Sequence, residues 1–150
     1  TKKGINTDDK AIANLVLGKS LEANNQFDQA IAAFKQVSAI NKSEWGAESR
    51  YETANCYYTL NQLSTAEKSA MEVIKVTGSY DYWVAKAYIL LGDIYLKEKD
   101  YFNAKATYKS VADNATIPDL KKEAQDKLNI AISEEQQNSK IETTQPDTNK

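Results

Sequence analysis

Between Trp83 and Asn114 the apolar positions recur every three or four residues, with one interruption. Trp83, Ala87, Leu91, Ile94 and Tyr95 fall on one helical face; Tyr101, Ala104, Tyr108 and Val111 fall on one face of a second helix. The run Lys97-Glu98-Lys99-Asp100 between them offers nothing apolar to bury, so the pattern predicts a turn there. A glycine inside a helix costs about 1 kcal/mol relative to alanine. Gly92 therefore predicts a close approach between the two helices, with Ala104 as the small residue of the second.

The pattern is repeated upstream. A shift of 38 residues carries Trp83 to Trp45, Tyr95 to Tyr57, Ala104 to Ala66 and Val111 to Val73, while Gly92 lands on Ala54 and Tyr108 on Ala70. A further shift of 36 carries Ala66 to Ala30, Val73 to Val37, Ala54 to Gly18 and Ala70 to Phe34. Three hairpins with a period in the mid-thirties predict a repeat array. On these residues (Leu17-Gly18, Leu21, Phe27, Ala30 and Phe34, and again Leu91-Gly92, Tyr95, Tyr101, Ala104 and Tyr108) the chain resembles the tetratricopeptide repeat. The second repeat departs from that pattern with Thr53-Ala54, and the proline usual at repeat ends is absent. The resemblance implies an all-α, right-handed superhelical solenoid of three hairpins plus a C-terminal closing helix. The segment from Trp83 to Lys105 also resembles repeat proteins of the bacterial cell envelope, which implies a periplasmic location.

The expected boundaries are a flexible segment over 1–7, a repeat domain over 8–137 and a disordered tail over 138–150. Within the domain the hairpins are expected over about 8–40, 44–76 and 82–113, with the closing helix over 118–137. Thr7 or Asp8 is expected to cap the first helix, and Ser43 and Asp81 the helices that open the next two hairpins. Asn25, Asn61 and Lys99 share one phase in the turns, where asparagine tolerates the left-handed conformation that ends a helix. Gly78 is placed to stop a helix and Pro118 to start one. In the closing helix Leu120, Ala124, Leu128, Ala131 and Ile132 form the inner stripe, with Lys121, Lys122, Glu123, Asp126 and Lys127 outside, as a solenoid end requires. The opening helix lacks such a division. Ile12, Ala13, Leu15, Val16, Leu17 and Leu21 wrap most of its circumference, which predicts either a missing preceding repeat or self-association.

Chemistry is scarce. With no histidine there is no usual general base and no His-paired nucleophile, and one cysteine makes neither an internal disulfide nor a thiolate zinc site. The single Cys56 reads as a small buried apolar group. No glycine-rich phosphate loop is present, no cofactor is expected, and a net charge of −2 gives no basic footprint for nucleic acid. No apolar run approaches the roughly 18 residues that span a bilayer. With these chemistries set aside, the resemblance implies a protein or peptide partner, with the chain as a scaffold or adaptor in a longer protein. The competing readings are a self-associating structural module and an accessory domain of an enzyme.

In the resembled family the first helix of each hairpin lines a concave groove. Carried over by position, that groove takes Ile12, Leu15, Lys19 and Glu22 from the first repeat. The second gives Glu48, Tyr51, Asn55, Tyr58 and Thr59, and the third Lys86, Ile89, Asp93, Leu96 and Lys97. Tyr51, Asn55 and Tyr58 share one face by spacing, and tyrosine anchors interfaces at low entropy cost. The same face left simply to solvent is the alternative. A clamp for a partner's C-terminal carboxylate is not expected, because Leu15 and Leu90 stand where that clamp needs basic side chains.

Overall fold

A computed structural model describes residues 6–40, 42–78 and 81–144. They form seven helices and no strand: α1 (Thr7–Ala23), α2 (Phe27–Ile40), α3 (Glu44–Thr59), α4 (Leu63–Thr77), α5 (Asp81–Lys97), α6 (Tyr101–Asn114) and α7 (Pro118–Thr144). The fold is all-α and tetratricopeptide-like. No helix among the described residues is long and apolar enough to cross a membrane. Two compact units divide within α5, one ending at Leu91 and the other beginning at Gly92.

The turns inside the three hairpins are built alike. Asn25, Asn61 and Lys99 all take positive φ, near 60°. In each case the next residue's N–H reaches back five positions, from Gln26 to Leu21, Gln62 to Tyr57 and Asp100 to Tyr95. That pair of features is the Schellman ending, which satisfies the orphan carbonyls of the last helical turn. Lys99 adopts it without the local side-chain bonding that makes asparagine tolerant there. Gly78 ends α4 at φ 64° and Pro118 opens α7, as their types require. Ser43 caps α3 by accepting from the Trp45 N–H. At α1 the cap is Asn6, whose side chain accepts from the Asp8 N–H, rather than Thr7 or Asp8. Thr7 and Asp8 are already helical. Asp81 likewise sits inside the first turn of α5, where its charge favours the helix N-terminus, rather than at the cap.

In the first unit, α1 packs on α2, α2 on α3 and α3 on α4. Ala11, Leu15, Ala30, Ile31, Phe34, Val37 and Cys56 form one buried cluster, closed by Leu21, Phe27, Trp45, Tyr57 and Leu60. Its centre is the Phe34 ring laid on Gly18: a Cβ added to Gly18 would sit 2.5 Å from Phe34 Cε1. In the second unit the Tyr108 ring lies on Gly92 in the same way. Ala104 is buried too, but the group that approaches the glycine is the tyrosine ring. At the equivalent positions of the middle hairpin stand Ala54 and Ala70, both fully buried. The side chain that grows on one helix matches the ring that shrinks on the other.

Among the described residues nothing covers the outer face of α1. Ala11, Leu15 and Gly18 are its buried residues, while Ile12, Val16 and Leu17 are exposed, Val16 by 61%.

In the second unit α7 packs on α6. Leu120, Ala124 and Ala131 are buried and Leu128 half-buried, but Ile132 is 37% exposed. Ile132 therefore leaves the predicted inner stripe, because Ala131 one residue earlier already faces inward. Polar ties do the rest. Lys127 Nζ donates to both Asp93 oxygens at 2.7 and 2.9 Å, and Lys105 Nζ donates to Glu135 Oε2 at 2.5 Å. The helix continues to Thr144, past the boundary expected at 137. No apolar stripe carries this extension. Side chains there bond to the turn behind, Ser139 to the Glu135 carbonyl and Thr143 to that of Ser139. The expectations for residues 1–5 and 145–150 lie outside the described residues.

Alanine is the better helix former by about 1 kcal/mol, yet Gly18→Ala and Gly92→Ala are each expected to destabilise. Phe34 and Tyr108 are fully buried and have no room to yield, and overpacking costs about 1–3 kcal/mol. Urea titration reads the sign, and a stabilised variant would mean that the rings move aside. For α7, Leu120→Ala should cost about 2–5 kcal/mol, whereas Ile132→Ala should change the urea midpoint little. Equal losses would show that α7 is docked in another rotation.

Candidate partner-binding face

The polar residues of α1, α3 and the start of α5 meet on one side of the first unit. Lys19 of α1 forms an ion pair with Glu48 of α3. Asn55 Nδ2 donates to Glu22 Oε1 at 3.2 Å. Tyr51 is half-buried, its ring 5.5 Å from that of Trp83, and Lys86 Nζ stands 5.7 Å from the Tyr51 ring centroid. At this distance the ammonium is drawn to the ring face. Tyr82, 42% exposed, meets Trp83 edge-on at 4.8 Å, which extends the aromatic surface to solvent. Trp83, which the repeat pattern sets on the apolar face of α5, is thus also part of this face.

Six of the fourteen residues projected onto the groove are brought together here: Lys19, Glu22, Glu48, Tyr51, Asn55 and Lys86. Tyr58 is half-buried one helical turn beyond Asn55. Ile89 does not belong. It is only 2% exposed, because α5 also buries Ala85, Ala87, Leu90, Leu91 and Ile94 and so has apolar contacts around most of its girth. Leu15 is buried for a similar reason, within the core cluster under Phe34. Asp93 is committed within the second unit, where it accepts from Tyr108 Oη at 2.5 Å as well as from Lys127. A carboxylate already holding a phenol and an ammonium has little left for a partner.

The residue that sequence reasoning missed is Glu52. It follows Tyr51, lies four residues after Glu48, and has no hydrogen bond or ion pair among the described residues. Burial pushes its carboxyl up to about 7, and the neighbouring carboxylates of Glu22 and Glu48 add to this against the smaller pull of Lys19 and Lys86. Glu22 is raised as well by burial, offset by hydrogen bonds from Asn55 and the Cys56 thiol. Lys19 is held protonated chiefly by its bond to Glu48. Cys56 is pushed up to about 12 by burial and by Glu22 and Glu52, so it stays a thiol at neutral pH. The available signal for Glu52 was its i, i+4 relation to Glu48, a like-charge pair with an energetic cost. Among the described residues no group of acidic or cysteine side chains is gathered to hold a metal.

The folded Glu52 carboxyl binds its proton more tightly than the unfolded one. Its contribution to stability is therefore complete below pH 4.5 and lost as pH rises through about 7. Glu52→Gln should raise the melting temperature above pH 7 and flatten its fall between these limits. An unchanged pH profile would place Glu52 in solvent.

Comparison with known proteins agrees with this architecture. The family model described as the tetratricopeptide repeat matches residues 11–44 and 85–114. These stretches contain the two ring-on-glycine pairs, and most of the middle hairpin, with Ala54 and Ala70, lies between them. A search of curated proteins found no match. In its hairpin geometry and turn endings the chain is tetratricopeptide-like, and these two stretches are similar to the tetratricopeptide repeat.

Proposed function

We infer that the chain works as a protein-interaction scaffold and takes a segment of a partner protein on the face formed by α1, α3 and the start of α5. Tetratricopeptide repeats generally mediate contacts between proteins. The observation that carries the reading is Tyr51, set against Trp83 and Lys86 beside a half-buried Glu52 that has no hydrogen bond within the described residues. A rigid aromatic surface flanked by an unsatisfied carboxylate suits a segment that pairs an apolar side chain with a lysine or arginine. The apolar group would cover the rings, and the cation would offset the repulsion among Glu22, Glu48 and Glu52. Asn55 and Tyr58 would supply hydrogen bonds to the segment's backbone. The resemblance of residues 83–105 to envelope proteins favours a partner in the periplasm, which fractionation of the source cell would test.

A second reading has its own observation. Ile12, Val16 and Leu17 form an uncovered apolar strip on α1, suited to a second copy of the chain. Sedimentation separates the two. A dimer that Val16→Lys converts to monomer would support association through α1.

A peptide array probed with the chain should retain peptides that combine a basic with an aromatic or aliphatic residue. The double variant Tyr51→Ala, Tyr58→Ala should weaken that retention by about thirtyfold, the loss of one interface hot spot, while cooperative unfolding persists. Glu52→Gln should erase the preference for basic residues. Retention unchanged in both variants would show that partners bind elsewhere, and a collapsed double variant would place the two tyrosines in the core.

A further inference from the structure

A second surface of the first unit has the makings of a ligand site that the partner-binding reading does not use. Three helices contribute to it at same-face spacings: Lys35 from α2, Arg50 and Tyr57 from α3, and Thr65, Ser69 and Glu72 from α4. They line a pocket of ≈ 410 Å³. Arg50 is the single arginine of the chain. It is half-buried and makes no hydrogen bond or ion pair among the described residues. A guanidinium has five donors in a fixed fork, and those of Arg50 are left to solvent or to a ligand in the pocket.

The neighbours are donors too. Lys35 Nζ donates to Tyr57 Oη at 2.9 Å and lies 5.5 Å from the ring centroid. The phenol oxygen thus receives its hydrogen bond from lysine, and its own proton is directed to another acceptor. Thr65 and Ser69 each bring a hydroxyl with no bond to a described residue. Against these donors the lining holds one carboxylate, the exposed Glu72. Two cations and three hydroxyls outnumber the lone pairs that a carboxylate presents through two oxygens. They suit a group with three or more oxygens and up to two negative charges.

We propose that the pocket between α2, α3 and α4 binds a phosphate group, with Arg50 as the bidentate donor, Lys35 as the second charge, and Tyr57, Thr65 and Ser69 as the hydroxyl donors. Glu72 at the rim sets the affinity by repulsion. The site lies on residues distinct from those of the partner-binding face, so its failure would leave that reading untouched.

Titration of the isotope-labelled chain with inorganic phosphate, followed by amide and arginine side-chain resonances at constant ionic strength, tests it. Saturable shifts are expected at Arg50, Tyr57 and Ser69. Arg50→Gln should weaken binding about tenfold or more, the equivalent of one charge-assisted hydrogen bond. Glu72→Gln should tighten it, and this exposed substitution, with Ser69→Ala, carries the test should the arginine variant fail to fold. Acetate in a parallel arm should bind more weakly than phosphate. Shifts that never saturate, spread over all lysine-bearing helices and persist in Arg50→Gln would reduce the effect to ionic screening and overturn the site, as would equal shifts with acetate.

Discussion

Each end of the repeat array turns on an aromatic ring resting where a side chain is missing. Phe34 on Gly18 and Tyr108 on Gly92 bring two helices close enough for the ring to be wholly enclosed. Dispersion and burial of a ring are strong only when it is contacted on all sides, and a single Cβ in its place would remove that condition. The tyrosine version extends further. Its hydroxyl donates to Asp93, next to the glycine, and Asp93 accepts from Lys127 of α7. One side chain thus joins the closure of a hairpin to the docking of the helix that follows. The phenylalanine version lacks the hydroxyl, and Lys19, the repeat equivalent of Asp93, pairs instead with Glu48 of α3.

Much of this was legible in the sequence because its causes are local. Helix ends depend on a few residues in a row, so Asn25, Asn61, Gly78 and Pro118 announced them. The glycines announced a close approach, although the identity of the approaching group required a partner sixteen residues away. Legibility failed where a position serves two surfaces. The repeat register projects Ile89 onto the groove, yet α5 is apolar on more than one side and buries it. It also projects positions 19, 55 and 93 onto the groove, where each is used for a tie to another helix: Lys19 to Glu48, Asn55 to Glu22, Asp93 to Lys127. Polar residues at repeat-equivalent places can fasten an array as readily as they can recognise a ligand. The extension of α7 to Thr144 was illegible for the opposite reason. Its one large apolar residue, Ile141, is exposed and forms no stripe, and bonds within the helix itself sustain it.

Charge is spent differently on the two sides of the first unit. On one side acidic residues crowd until the Glu52 carboxyl approaches neutrality at ordinary pH. On the other, cations and hydroxyls gather around a pocket with a single carboxylate at its edge. A chain with a net charge of −2 therefore presents two local fields of different character, which its bulk composition conceals.

The alanine pair of the middle hairpin has a consequence for how the array responds to load. The buried positions of α3 are Gly46, Ala47, Ser49, Thr53, Ala54 and Cys56, all small, and Ala70 takes the place of an enclosed ring. The larger side chains Trp45 and Tyr57 of α3, with Leu60 at its end, pack instead against the cluster around Phe34, which ties the order of this hairpin to that of its neighbour, as in a quasi-one-dimensional chain. Tyr51 and Glu52 on one surface, and Arg50 and Ser69 on the other, belong to this same hairpin. An occupant of either proposed surface would stiffen one shared segment and so lessen the ordering entropy left for a second occupant. The two surfaces would then communicate through fluctuation, with no change in the mean positions of the helices.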